Sequence, residues 1–110
     1  VVIRTVLEMR VREGCAARFE QAWQAAAEVS SHYAGAGPQT MLRDPGAPLC
    51  YTITAEWATR EDLAVYQRSQ DRQALSAVLE ELRESATKTL LEVVAHVPAP
   101  APIKEGTAPV

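Results

Sequence analysis

The segment Tyr51-Thr-Ile-Thr-Ala-Glu-Trp57-Ala-Thr59-Arg-Glu-Asp62-Leu63-Ala-Val-Tyr66 constrains this chain more than any other. Up to Trp57 it alternates as a strand does, with Tyr51, Ile53, Ala55 and Trp57 on one face and Cys50, Thr52, Thr54 and Glu56 on the other. Thr59 with Asp62 three residues later is a variant capping box, so a helix begins just beyond the tryptophan. A large aromatic is thereby fixed where sheet meets helix. That position suits either the core or the wall of a small-molecule pocket.

The flanking sequence supplies the rest of the sheet. About Val2 to Val11 reads as a first strand, with Ile3, Thr5, Leu7, Met9 and Val11 on one face and Arg4, Val6, Glu8 and Arg10 on the other. Glu13-Gly14 ends it. A helix to about Tyr33 follows, with Phe19, Ala22, Trp23, Ala26, Val29 and Tyr33 at the spacing of one buried face. Ala34-Gly-Ala-Gly-Pro38 stops that helix. A second strand at about Gln39 to Arg43 turns through Asp44-Pro-Gly-Ala-Pro48 into a third, Leu49 to Trp57. Two helices are expected next, near Arg60–Arg68 and Asp71–Ser85. They are jointed at Ser69-Gln70-Asp71, and the second carries Leu75, Val78, Leu79 and Leu82 on its apolar stripe. A last strand is expected at about Thr87 to Val97.

Strand-helix-strand-strand-helix-strand is the order of a ferredoxin-like split βαβ domain: an α+β fold whose four-stranded antiparallel sheet carries its helices on one face. The domain is expected over residues 1–97. The Pro/Ala-rich tail, 98–110, reads as a disordered or polyproline extension, and docking on a partner subunit is expected to hold it. The uncovered sheet face mixes Val6, Leu90 or Val94 with Glu8, Arg10, Thr52 and Thr54. A second sheet packed against it would explain the apolar share, which predicts a homodimer.

Gross composition narrows the functional classes. At 110 residues the chain is one domain, and 47% hydrophobic with 23% charged residues is ordinary for a soluble protein. A net charge of -3 leaves no basic footprint for nucleic acid, and no apolar run reaches the roughly 18 residues a membrane span needs. No signal peptide is visible, although the sequence starts at Val1. Cys15 and Cys50 lie far apart and read as reduced structural thiols, which suits a cytoplasmic protein.

Three features together resemble the antibiotic biosynthesis monooxygenase family: the element order, the Val11-Arg-Glu-Gly14 strand exit and the Glu56-Trp57-Ala-Thr-Arg-Glu-Asp62 junction. The resemblance covers about residues 2–97. It implies a dimeric α+β barrel with a pocket between sheet and helices in each subunit. It also implies a cofactor-independent monooxygenase that takes an aromatic substrate and dioxygen, such as a polycyclic phenol, anthrone or quinol of aromatic polyketide biosynthesis. In such chemistry the deprotonated substrate itself reduces dioxygen. The protein favours the anion, holds the ring in an apolar slot and excludes water. No metal is expected: there are two histidines, no HxxxH, no CxxC and no GxGxxG. Two departures are visible. Ile53 stands four residues before Trp57, where some family oxygenases carry asparagine. The expected helix at Asp71–Ser85 also has no histidine, which disfavours haem degradation.

Trp57 is the family's pocket-lining tryptophan by this resemblance, with an indole N–H for a substrate oxygen and a face for its ring. Tyr51, on the same strand face, and Tyr66, on the short helix, could polarise or deprotonate a substrate hydroxyl. His32, at the end of the first helix, could act as a base. Thr5, Ile53, Arg72 and Tyr33 complete the expected substrate-binding set. Most of these residues have a plainer structural reading: core packing for Trp57, Tyr51 and Thr5, a surface position for Tyr66, a helix-end histidine facing the dipole for His32, and a solvated charge for Arg72. Two rival functions follow from the same pocket, a non-oxidative isomerase or cyclase and a non-catalytic dimeric binding module.

Overall fold

The computed structural model describes residues 1–101, and its elements run β1 (Ile3–Val11), α1 (Ala16–Ser30), β2 (Ala36–Asp44), β3 (Ala47–Trp57), α2 (Arg60–Gln67), α3 (Gln70–Leu82) and β4 (Arg83–Glu92). The sheet order is β2-β3-β1-β4 with every neighbouring pair antiparallel. This is the ferredoxin-like α+β arrangement, with β3 inserted between the two strands of the β1-α1-β2 unit.

Local chemistry sets most boundaries. Thr59 caps α2 by accepting the Asp62 N–H at 3.1 Å, and Ser69 caps α3 by accepting the Arg72 N–H at 3.1 Å. The β2–β3 hairpin closes on an Asx contact, the Gly46 N–H donating to Asp44 Oδ1 at 2.8 Å. Pro38 lies inside β2, which a proline tolerates because β2 is an edge strand and its pairing slips between Ala36 and Gln39.

The last strand differs from expectation. It begins at Arg83 and ends at Glu92, about four residues earlier at each end than Thr87–Val97, and α3 stops at Leu82 instead of Ser85. The reason is non-local. Strand β4 pairs along β1 from Val11↔Arg83 to Ile3↔Glu92, so the ends of β1 fix its length. Beyond it only the Val93 N–H reaches the Val2 carbonyl, and residues 94–101 have no regular structure. The expected docking of the tail falls largely on residues 102–110, outside the described residues.

The helices bury one sheet face in two clusters. Met9, Val11, Phe19, Tyr51, Ile53, Leu79 and Leu82 pack at one end, and Ile3, Trp57, Leu63 and Tyr66 at the other. Helix α1 turns Phe19 and Ser30 inward, whereas Val29 is exposed. The stripe read from sequence is therefore rotated slightly: Ser30 sits buried because its hydroxyl bonds the Ala27 carbonyl and Gln39.

Candidate functional site

A cleft lies at the join of the two clusters. Strand β1 contributes Thr5 and Leu7, β2 Gln39, and β3 Ile53, Ala55 and Trp57. Helix α2 adds Leu63, Tyr66 and Gln67; Arg72, Leu75 and Leu79 come from α3, Trp23 from α1 and Lys88 from β4. Strand alternation explains the convergence. Thr5 pairs with Ala55, and Leu7 with both Ile53 and Lys88, so these side chains share the helix-covered face.

The aromatic wall is built in layers. Trp57, 2% exposed, stacks on Tyr66 with ring centroids 5.1 Å apart and planes 20° from parallel. Tyr33 also meets Tyr66, edge-on at 5.1 Å, and its hydroxyl donates to Asp71 Oδ2 at 2.6 Å. Helix α2 can present Tyr66 to Trp57 because Thr59 starts it two residues after the tryptophan.

The enclosed space is about 70 Å³, or about 590 Å³ when the open mouth and its solvent are counted. The inner part holds several waters but falls short of the roughly 150 Å³ that admits benzene. A ring therefore enters only when side chains at the mouth move aside. The mouth carries residues that can do so: Gln67 and Arg72 are half-buried and Lys88 is exposed, whereas Ile53, Trp57, Leu63, Tyr66 and Leu79 behind them are buried.

Five of the residues singled out in the sequence meet here: Thr5, Ile53, Trp57, Tyr66 and Arg72. Tyr33 stands behind Tyr66 rather than in the cleft. Tyr51 and His32 do not line it. The Tyr51 ring packs on Phe19 at 5.0 Å, and its hydroxyl donates to Glu20 at 2.5 Å. Five residues of strand lie between it and Trp57, and it packs in the cluster of Phe19 and Ile53 rather than in that of Trp57. His32 is exposed in the turn after α1, its N–H bonded to the Val29 carbonyl.

Burial pushes the phenol of Tyr66 above its ordinary value, outweighing the nearby Arg72 cation. Burial and the Glu20 carboxylate do the same to Tyr51. A phenol raised in this way stays protonated near neutrality and donates a hydrogen bond; it is not a base. Lys88 shifts the other way: the residue is exposed overall, but partial loss of water around its ammonium at the cleft lowers it, and the positive charge of Arg72 adds to this.

Trp23, Gln39, Gln67 and Lys88 were not anticipated as site residues. Gln39 matters because Ile53 leaves no amide on β3. The Gln39 amide enters from the neighbouring strand instead, its nitrogen held by the Ala27 carbonyl at 3.1 Å and by Ser30 at 3.0 Å.

The fold and the cleft together define a ferredoxin-like α+β domain with a half-enclosed aromatic pocket between sheet and helices. The chain belongs to the antibiotic biosynthesis monooxygenase family, whose model matches residues 2–78. Among solved structures it is similar to SnoaB, a cofactor-independent oxygenase from Streptomyces nogalater, at 18% identity and a TM-score of 0.80, over 89% of this chain and 98% of that one. It is also similar to a conserved protein from Methanosarcina mazei Go1, at 17% identity and a TM-score of 0.78, over 83% and 91% of the two chains. At these identities the likeness establishes the fold. No curated protein matches the chain by sequence. No described helix is long and apolar enough to cross a membrane.

Proposed function

We propose that this protein is a cofactor-independent monooxygenase of an aromatic phenol, anthrone or quinol, acting in aromatic polyketide tailoring. The observation that carries the reading is the cleft beside Trp57: apolar at its depth, walled by stacked aromatics and edged by hydrogen-bond donors. The substrate ring slides along Trp57 as the mouth side chains move apart. Donors from Trp57, Thr5 and Tyr66 favour its oxyanion, and the carbanionic form passes an electron to dioxygen. Recombination forms a carbon–oxygen bond. The peroxide takes up the proton that the substrate gave to solvent, and loss of the second hydrogen from the same carbon cleaves the O–O bond, leaving one oxygen as the new carbonyl and releasing the other as water. SnoaB, with the same fold, is itself a cofactor-independent oxygenase. The experiment is oxygen uptake by purified, metal-stripped protein with an anthrone and with a hydroquinone. Uptake well above the autoxidation rate is expected, and its absence with both substrates rejects the oxygenase reading.

The working unit in this proposal is a homodimer joined through the uncovered sheet face. Val6, Thr52 and Thr54 there are only half-buried in the single chain, and Leu91, paired with Arg4, is 50% exposed on this face in place of the expected Leu90, which pairs with Thr5 on the helix-covered side. Introducing a charge with Val6→Glu is expected to convert a dimer to monomer in light scattering. A wild-type monomer at micromolar concentration would refute the pairing.

A further inference from the structure

Among the described residues two cations face the cleft, and no carboxylate lines it. The ion pairs among the described residues lie elsewhere, joining Arg4 to Glu56, Arg10 to Glu84, Arg43 to Glu20 and Arg60 to Glu92. Asp71, beside Arg72 in sequence, has an oxygen bonded to Tyr33. Arg72 also sits in the first turn of α3, where the helix dipole disfavours a positive charge. Among the described residues its guanidinium is bonded only to the Ser76 hydroxyl, through Nη1 at 2.6 Å. The remaining N–H donors are available, and a guanidinium fork matches a carboxylate. Lys88, across the mouth on β4, lies near enough to feel the Arg72 charge. Two like charges in a partly desolvated cleft, one of them against a helix dipole, are an arrangement that an anion relieves.

Resting on the oxygenase reading of the same pocket, we infer that the substrate is an aromatic carboxylate: its ring packs against Trp57 at the buried end, and its carboxylate sits between Arg72 and Lys88 at the mouth. The burial gradient sets this orientation, because the buried lining residues are apolar or aromatic, whereas Arg72 is half-buried and Lys88 exposed. Arg72 supplies a directional fork. Lys88 supplies a mobile point charge that can swing clear for entry.

The test is binding, measured without turnover. Quenching of tryptophan fluorescence compares 2-naphthoate with its neutral isostere 2-naphthamide under nitrogen. The wild-type protein is expected to prefer the acid by at least about tenfold, a preference that shrinks as salt is added. Lys88→Met and Arg72→Met should each cut the preference, and the double variant should abolish it while binding the amide as before. Equal binding of acid and amide by the wild-type protein overturns the inference without any variant, and so does a preference that survives in a folded double variant. A preference that holds in protein showing no oxygen uptake supports the anion subsite while removing the oxygenase reading, so the two fail separately.

Discussion

Trp57→Ala is expected to lose about 3–5 kcal/mol of folding free energy, the range for deleting a buried large aromatic. In a domain of this size that lowers the melting temperature by roughly 12 °C or more. The size of the effect follows from what Trp57 holds. It is 2% exposed, packs with Ile3 and Leu63, and provides the surface on which Tyr66 stacks. Removing it leaves a cavity that β3 and β1 cannot close, since both are locked in register on either side. The alanine variant therefore reports on the fold. Trp57→Phe reports on the chemistry. A phenyl ring keeps most of the stacking surface but carries no N–H, so the stability loss should stay within about 2 kcal/mol. If the indole donates to the developing oxyanion, kcat/KM should fall on the order of a hundredfold, as when a donor to developing charge is removed. A phenylalanine variant with unchanged oxygen uptake shows that Trp57 serves packing alone.

How much of this was legible in the chain depends on whether a neighbour in sequence or a neighbour in space fixes each feature. The Trp57–Thr59–Asp62 junction is local, and the helix starts where the capping residues place it. The alternation that puts Ile53 and Trp57 on the buried face is local as well. Strand β4 is not. The apolar run from Leu90 draws a sequence reading toward Val97, but the ladder with β1 ends at the Ile3↔Glu92 pair, and past it the Val93 N–H bonds the Val2 carbonyl. Tyr51 shares a face with Trp57, as read, but sharing a face is not sharing a site on a strand of 11 residues. Phe19 and Glu20 of helix α1 take up Tyr51 instead. Lys88 and Gln39 were invisible for a related reason. A lysine at the start of a strand reads as solvated, and a glutamine on an edge strand reads as neutral. Only pairing of β4 with β1 and of β2 with β3 turns them toward the cleft.

Gly35→Ala carries the other large effect, and its origin can be separated into parts. Gly35 has φ +79°, in the left-handed region where an L-residue is strained. A Cβ there would also run into the side chain of Asp62. Asp62 cannot simply withdraw, because its backbone N–H is held by Thr59 at the cap of α2. Gly14 provides the control. It has nearly the same angle, φ +82°, but nothing within 4 Å of an added Cβ. Gly14→Ala should cost only the conformational strain, about 1 kcal/mol. Gly35→Ala should cost about 1–3 kcal/mol more, the range for forcing extra atoms into a packed site. Thermal unfolding of the two variants measures the difference directly, and equal melting temperatures would show that the loop yields freely. The same substitution should reach the cleft. The Gly35 carbonyl accepts the Ala58 N–H at 2.8 Å, and the next residue, Ala36, pairs with Trp57. A displaced Gly35 therefore shifts both ends of the junction that presents the tryptophan. Binding of 2-naphthamide, which depends on the aromatic wall and not on the cations, should weaken in Gly35→Ala and remain unchanged in Gly14→Ala.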